Sequence, residues 1–142
     1  HELQGWFVIY VYPMTGRPDT ALPDNWDSIP GARGCTPQSC GFRDHHAELL
    51  ALNVGVYGLS SQSTAYQAEA RQRLHLPFEL LSDESLLLKK HLKLPTFATD
   101  DTEFYRRITL IVESGQIQQV FYPVFPPSEN AADVVAWLHA RA

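Results

Sequence analysis

Hydrophobic and polar positions alternate between strand-like and helix-like patterns along the chain. A continuous apolar run at residues 6–12 predicts a central strand buried on both faces, and Pro13 ends it. Apolar residues three and four apart then predict a helix that begins at or just after Cys35 and buries Phe42, Leu49 and Leu50.

Further segments extend the same alternation. Strands are predicted at residues 54–59, 77–81, 108–112 and 117–122, and helices at 63–74, from 82 or 83 to about 91, and at 131–141. Residues 14–34 form a long loop rich in proline and glycine, and residues 92–104 are expected to be irregular. The order predicts an α/β domain with a mixed central sheet and helices on both faces. Early strands are expected to be parallel and the last two to form an antiparallel hairpin.

Length and charge narrow the classes of function. The 142 residues suit one domain with one core. A net charge of −5 argues against nucleic acids and anionic membranes, since both attract a basic surface. No apolar run approaches the roughly 20 residues that span a bilayer, and residues 1–4 do not resemble a signal peptide. A cytoplasmic location is expected.

Two cysteines, Cys35 and Cys40, lie where the first helix is predicted to begin. The unpaired N–H groups and the positive dipole end of a helix start favour a thiolate at Cys35. Pro37 fits the first helical turn, where its missing N–H costs nothing, and Arg33 is a nearby source of positive charge. The pattern predicts a redox-active thiol.

The spacing of the two cysteines limits when they can form a disulfide. Residues five apart on one helix have Cα atoms roughly 8–9 Å apart, whereas a disulfide needs them within about 7 Å. The pair can close only if the first helical turns unwind. Inert buried thiols are one alternative. A static disulfide, a zinc site with His45 and His46, and a protein thiol–disulfide exchange site are others, which the spacing disfavours.

A series of motifs occurs in order along nearly the whole chain. They are YP at 12–13, GCT at 34–36 with a second cysteine five residues after the first, FRD at 42–44, VYGLS at 56–60, LPFELLSD at 76–83, and RITLI at 107–111 followed by GQI at 115–117. In these residues the sequence resembles the peroxiredoxins, and within them the Q-type, bacterioferritin-comigratory-protein-like branch.

The resemblance implies a single thioredoxin-like domain over residues 1–142 that lacks the family's N-terminal hairpin. It implies a thiol peroxidase for hydrogen peroxide or alkyl hydroperoxides, with Cys35 as the peroxidatic and Cys40 as the resolving cysteine. Arg107 matches the arginine that steadies the thiolate and polarises the peroxide, and Pro13 matches the proline that shields the site. Thioredoxin or glutaredoxin is the expected reductant, no metal or other cofactor is expected, and the chain is expected to be a monomer or homodimer.

One departure from the family pattern concerns the hydroxyl that positions the peroxide. The family has Thr or Ser three residues before the nucleophile, and this chain has Ala32 there, with about fifteen residues inserted between Pro13 and Gly34. Thr15 or Ser28 is the candidate replacement if the loop folds back. The departure motivates an alternative function, a redox-sensing or binding domain of the same fold with weak peroxidase activity.

Overall fold

A five-stranded mixed sheet forms the centre of the molecule in a computed structural model that describes residues 5–17, 20–23 and 25–141. The strands are β1 (Trp6–Val11), β2 (Gly55–Ser60), β3 (Glu79–Ser82), β4 (Thr96–Thr99), β5 (Thr102–Tyr105), β6 (Ile108–Glu113) and β7 (Gln116–Phe121). The helices are α1 (Cys35–Asp44), α2 (His46–Ala51), α3 (Thr64–Arg73), α4 (Leu87–Leu92) and α5 (Asn130–His139), with short 3₁₀ helices at Trp26–Ser28 and Pro127–Glu129. Within those described ranges, no helix is both long enough and apolar enough to cross a membrane.

The strand order confirms the predicted mixed sheet. It runs β3-β2-β1-β6-β7, so the first apolar run is the central strand. The β1–β2 and β2–β3 pairs are parallel, and the β1–β6 and β6–β7 pairs are antiparallel. The late strands are antiparallel because the two-residue connection between β6 and β7 cannot join parallel neighbours.

Helices cover both faces of this sheet, and successive residues of β1 point to opposite sides. On one side Val8 and Tyr10 belong to a buried cluster with residues of α1, α2 and α5. On the other side Ile9 and Val11 belong to a cluster with Leu88 of α4 and with residues preceding β6. The first of these clusters includes Cys35, so the sheet and α1 position the candidate nucleophile.

Two sequence predictions about these elements are wrong. Residues 92–104 are not irregular but contain β4 and β5, which form a separate two-stranded antiparallel sheet. Leu50 is not buried: it is 59% exposed, whereas Leu49 is fully buried. The helix is interrupted at His45, so α2 does not continue the periodicity of α1 from which the prediction was made.

Candidate active site

Cys35 is the first residue of α1, as the sequence predicted. Its side chain is buried, and Gly34 precedes it with a φ of 104°. That left-handed conformation favours glycine, and a Cβ at this position would lie 2.6 Å from a side-chain carbon of Pro127. The glycine therefore lets the chain turn sharply into the helix while packing against the segment before α5. This turn places the sulfur at the positive end of the helix dipole.

Arg107 is the residue just before β6, and its side chain reaches the sulfur of Cys35. Its Nη2 lies 3.2 Å from Cys35 Sγ and also donates to the carbonyl oxygens of Gly31, Ala32 and Arg33, at 2.8–3.3 Å. The guanidinium thus connects the loop before α1 to the sulfur at the helix start. Its Nε is buried and has no hydrogen-bond partner among the described residues.

The charge of Arg107 requires a compensating group, because its side chain is buried and burying an unpaired charge is costly. Within the described part of the chain, no carboxylate forms an ion pair with it. Its neighbours are neutral carbonyl and amide oxygens and the sulfur of Cys35. Of these atoms, the Cys35 sulfur is the one that belongs to an ionisable group.

A buried polar network behind Arg107 was not foreseen from the sequence. Arg107 Nη1 donates to Gln38 Oε1 at 2.5 Å, and Gln38 Nε2 donates to Asn130 Oδ1 at 3.0 Å. Asn130 also accepts a hydrogen bond from the Thr109 hydroxyl at 2.8 Å. Gln38 lies three residues after Cys35, so the two share a helix face. This spacing could have indicated from the sequence that Gln38 lies near the site. Asn130 and Thr109 carried no comparable signal.

Cys40 lies in the same intact helix as Cys35 and is half-buried. The helix segment around it is held to β1. The buried Ser39 hydroxyl is hydrogen-bonded to the Tyr10 hydroxyl at 3.0 Å, and the Phe42 ring stacks on the Tyr10 ring with centroids 4.6 Å apart. Burial raises the pKa of Tyr10 well above its usual value, so this hydroxyl stays protonated. Both cysteines are free thiols.

A cleft of about 190 Å³ lies beside Cys35. It is lined by Met14, Gly16, Leu22, Trp26, Ala32, Arg33, Gly34, Cys35, Thr36 and Pro37. Most of these residues belong to the long segment between β1 and α1. The described part of that segment therefore lies beside the candidate nucleophile.

Of the remaining residues singled out from the sequence, Arg33 lines this cleft, whereas Pro13, Thr15 and Ser28 are not among its lining residues. Pro13 is buried two residues after the end of β1. Thr15 is buried, but its hydroxyl and its backbone N–H donate to Gln62 Oε1. The exposed Ser28 donates to a carbonyl oxygen of its own 3₁₀ turn. Arg33 lines the cleft with its guanidinium in solvent, 2.7 Å from an Asp27 carboxylate oxygen. The positive charge nearest the sulfur therefore comes from Arg107 and not from Arg33.

A family model described as Redoxin matches residues 8–136, which include most of β1, most of α5 and every element between them. The chain belongs to the redoxin family. Peroxiredoxin Q, chloroplastic, from Oryza sativa subsp. japonica is 27% identical over 135 residues, which are 94% of this chain and 54% of that protein. A putative peroxiredoxin bcp from Coxiella burnetii is 25% identical over 134 residues, 92% of this chain and 79% of that protein. These relatives confirm the predicted resemblance to Q-type peroxiredoxins.

Solved structures agree on the fold of this redoxin. The crystal structure of peroxidoxin BcpB from Mycobacterium tuberculosis has a TM-score of 0.75 at 20% identity, covering 96% of this chain and 80% of that one. The thioredoxin-like fold class is therefore confirmed. The chain spans about half the length of the plant relatives it matches.

Proposed function

We propose that this redoxin is a thiol peroxidase that reduces hydroperoxides through Cys35. The observation that carries the proposal is the buried guanidinium of Arg107, whose Nη2 lies 3.2 Å from the Cys35 sulfur at the start of α1. A helix start and an adjacent cation both stabilise the ionised sulfur, and the thiolate is the nucleophilic form of cysteine. The family supplies the oxidant class, since the relatives are named as peroxiredoxins.

The first step oxidises the sulfur. The Cys35 thiolate attacks the terminal oxygen of the hydroperoxide, the O–O bond breaks, and the sulfur becomes a sulfenic acid. The leaving oxygen departs as an alkoxide or hydroxide and takes a proton from solvent. Arg107 stabilises the charge as it passes from sulfur to the leaving oxygen. Pro13 is proposed to limit water at the site, and Thr15 remains a candidate for positioning the peroxide.

The second step joins the two cysteines. The Cys40 thiol attacks the sulfenic sulfur, water leaves, and an intramolecular disulfide forms. Because both residues lie in α1, its first turns must unwind. Unwinding is feasible because Gly41 and the short polar residues of α1 have low helix propensity. The helix therefore depends on its tertiary contacts.

The third step returns the protein to its dithiol form. A thioredoxin or glutaredoxin dithiol attacks the Cys35–Cys40 disulfide and is itself oxidised, and two thiols are regenerated. No residue of a second copy is needed, so a monomer or homodimer can complete the cycle. We place the reaction in the cytoplasm, where such dithiols keep thiols reduced, although the plant relatives are chloroplastic.

Peroxide consumption by the purified protein tests the proposal. Wild type supplied with thioredoxin, thioredoxin reductase and NADPH should consume peroxide catalytically, and Cys35→Ser should not. Cys40→Ser should react once with peroxide but should lose turnover with thioredoxin. Absence of consumption by the wild type, with thioredoxin and with glutaredoxin, would contradict the proposal.

A second candidate, a redox-sensing domain with weak peroxidase activity, is favoured by two observations. The Thr15 hydroxyl bonds to Gln62, and Ala32 occupies the family's hydroxyl position. A sensor would oxidise reversibly but turn over slowly, and a partner would bind only one redox form. If steady-state peroxide turnover were as fast as the first oxidation of the reduced protein by peroxide, the sensor function would be excluded.

A further inference from the structure

Four buried polar side chains form a closed ring next to Cys35. Arg107 Nη1 donates to Gln38 Oε1 at 2.5 Å, and Gln38 Nε2 donates to Asn130 Oδ1 at 3.0 Å. The Thr109 hydroxyl donates to the same Asn130 oxygen at 2.8 Å, and Thr109 follows Arg107 by two residues in the chain, which closes the ring. Each of the four residues is at most 3% exposed, so none of these polar groups can exchange its partner for solvent without moving.

The Gln38 amide can serve Arg107 in one orientation only. A guanidinium has donors and no acceptor, so the Gln38 oxygen must face Arg107 and its NH₂ group must point away. The NH₂ group then meets the Asn130 oxygen. A reversed amide would bring its NH₂ group against the guanidinium and would lose the hydrogen bond. The acceptor on Asn130 therefore keeps Gln38 in the orientation that Arg107 needs.

Asn130 lies at the start of α5 and uses its oxygen on other elements. A side-chain oxygen near a helix start commonly accepts from a backbone N–H of its own helix. The Asn130 oxygen instead accepts from Gln38 of α1 and from Thr109 of β6. Without it, the fully buried Gln38 NH₂ group would lose its acceptor, and an unsatisfied buried donor is costly.

The contact with Gln38 defines the plane of the Arg107 guanidinium. The carbonyl oxygens of the loop before α1 and the Cys35 sulfur all lie against Nη2. Nε has no hydrogen-bond partner in the described part of the chain, and Nη1 donates to Gln38. Contacts at one nitrogen alone would let the planar fork rotate about that point. The second contact, at Nη1, prevents this rotation.

We propose that Asn130 is a positioning residue for peroxide reduction: through Gln38 it holds the Arg107 guanidinium beside the Cys35 sulfur. The inference rests on the proposed peroxidase function. Loss of the Asn130 oxygen would let Gln38 turn and the guanidinium rotate, so Nη2 would contact the sulfur for less of the time. The ionised sulfur would then be stabilised less, and a smaller fraction of it would be reactive at neutral pH.

Single-turnover oxidation of the reduced protein by hydrogen peroxide, followed by stopped flow from about pH 5 to about pH 9, tests the inference. Asn130→Leu removes the acceptor and keeps the size of the side chain. At neutral pH its second-order rate constant should be about three- to tenfold below that of wild type, which is the effect of one hydrogen bond. The pH at which the rate constant is half-maximal should rise by about half to one unit, so the difference should narrow at high pH.

The pH profile of this first, peroxide-dependent phase reports the Cys35 sulfur. Burial raises the pKa of the neighbouring Tyr10 and Tyr12, so both hydroxyls stay protonated. The arginines at the site stay charged, and no histidine or carboxylate is among the described residues that line the cleft. The Cys40 thiol reacts only in the later phase, which does not depend on peroxide concentration.

Two further positions separate positioning from stability. Thr109→Val removes the hydroxyl that restrains Asn130 and keeps the size of the side chain, so it should shift the profile in the same direction by a smaller amount. Thr109→Ser keeps the donor and should recover most of that loss. Val135→Ala is the stability control, since Val135 is a buried residue of α5 without a polar side chain. It should lower Tm and leave the pH profile unchanged.

Because Asn130 acts through Gln38, substitutions of the two residues should not add. In Gln38→Leu, which already lacks the contact to Arg107, Asn130→Leu should cause no further loss of rate. Additive losses, or wild-type pH profiles in both Asn130→Leu and Thr109→Val, would overturn the positioning role while leaving the peroxidase intact. Oxidation of the wild type no faster than that of free cysteine would instead refute the proposed function itself.

Discussion

Substituting Tyr10 by phenylalanine tests whether opening of α1 controls disulfide formation. The change removes only the hydroxyl that is hydrogen-bonded to Ser39, which lies between the two cysteines in the helix. The phenyl ring that stacks on Phe42 is kept. The substitution therefore weakens one tie between β1 and α1 without creating a cavity in the core.

The size of the effect follows from the burial of both groups. Ser39 and Tyr10 are fully buried, so the Ser39 hydroxyl loses its partner in the closed helix and regains one from water when the helix opens. An unsatisfied buried hydroxyl costs about 1–3 kcal/mol. A shift of 1–2 kcal/mol in the opening equilibrium should accelerate disulfide formation roughly 5–30-fold.

The assay separates the two chemical steps. Reduced protein is mixed with a small excess of peroxide in a stopped-flow instrument, and quenched samples are analysed for sulfenic acid and disulfide. Tyr10→Phe should leave the peroxide-dependent first step within about twofold of wild type and accelerate the second step by the factor above.

Tyr12→Phe is a closely matched control. Tyr12 is also fully buried, but its hydroxyl donates to Gln67 of α3 at 2.6 Å and not to Ser39. It should therefore not accelerate the second step. If Tyr10→Phe left that step unchanged, or if both variants accelerated it equally, the claim that α1 opening limits disulfide formation would be wrong.

Three other predictions follow from the same structure. Arg107→Lys should slow single-turnover peroxide reduction by roughly tenfold to a hundredfold in stopped flow, because an ammonium cannot replace the forked contacts; an unchanged rate would contradict the assigned role. Gly34→Ala should lower Tm by several degrees, because an alanine is strained at positive φ and its methyl would be too close to the segment before α5. The control Gly31→Ala should lower Tm less, because its added methyl meets nothing within 4 Å. Burial opposes ionisation of Asp83, but hydrogen bonds from Tyr105 and two backbone N–H groups outweigh it and lower its pKa. The ionised Asp83 carboxylate thus stabilises the fold at neutral pH, and this stabilisation is lost as the pH falls through its folded-state pKa. The amount by which Asp83→Asn lowers Tm relative to wild type should therefore shrink below about pH 4. A difference in Tm that did not change with pH would contradict this.

Much of the fold follows from local patterns in the sequence. The central strand and the β6–β7 hairpin were predicted because long apolar runs and a tight turn are local signals. The β4–β5 sheet was missed because its residues are only weakly apolar and follow Pro95. In addition, Phe97 and Phe104 pack against Trp26, a residue far away in sequence. Contacts between segments that are distant in sequence produce no periodic pattern of apolar residues from which they could be predicted.

The candidate site likewise contains residues that the sequence could predict and residues that it could not. Cys35 was found from its position at a predicted helix start, whereas Arg107 was found only through the family resemblance. Gln38 shares a helix face with Cys35 and could have been proposed, since that spacing is local. Asn130 could not, because its role depends on how α5 packs beside α1.

The most direct measurement is mass mapping of the two cysteines after one equivalent of peroxide. In wild type, the peptides carrying Cys35 and Cys40 should be joined and should have lost two hydrogen atoms. In Cys40→Ser, Cys35 should instead gain one oxygen atom. Two thiols that remain free, or a first oxygen that is found on Cys40, would contradict the account.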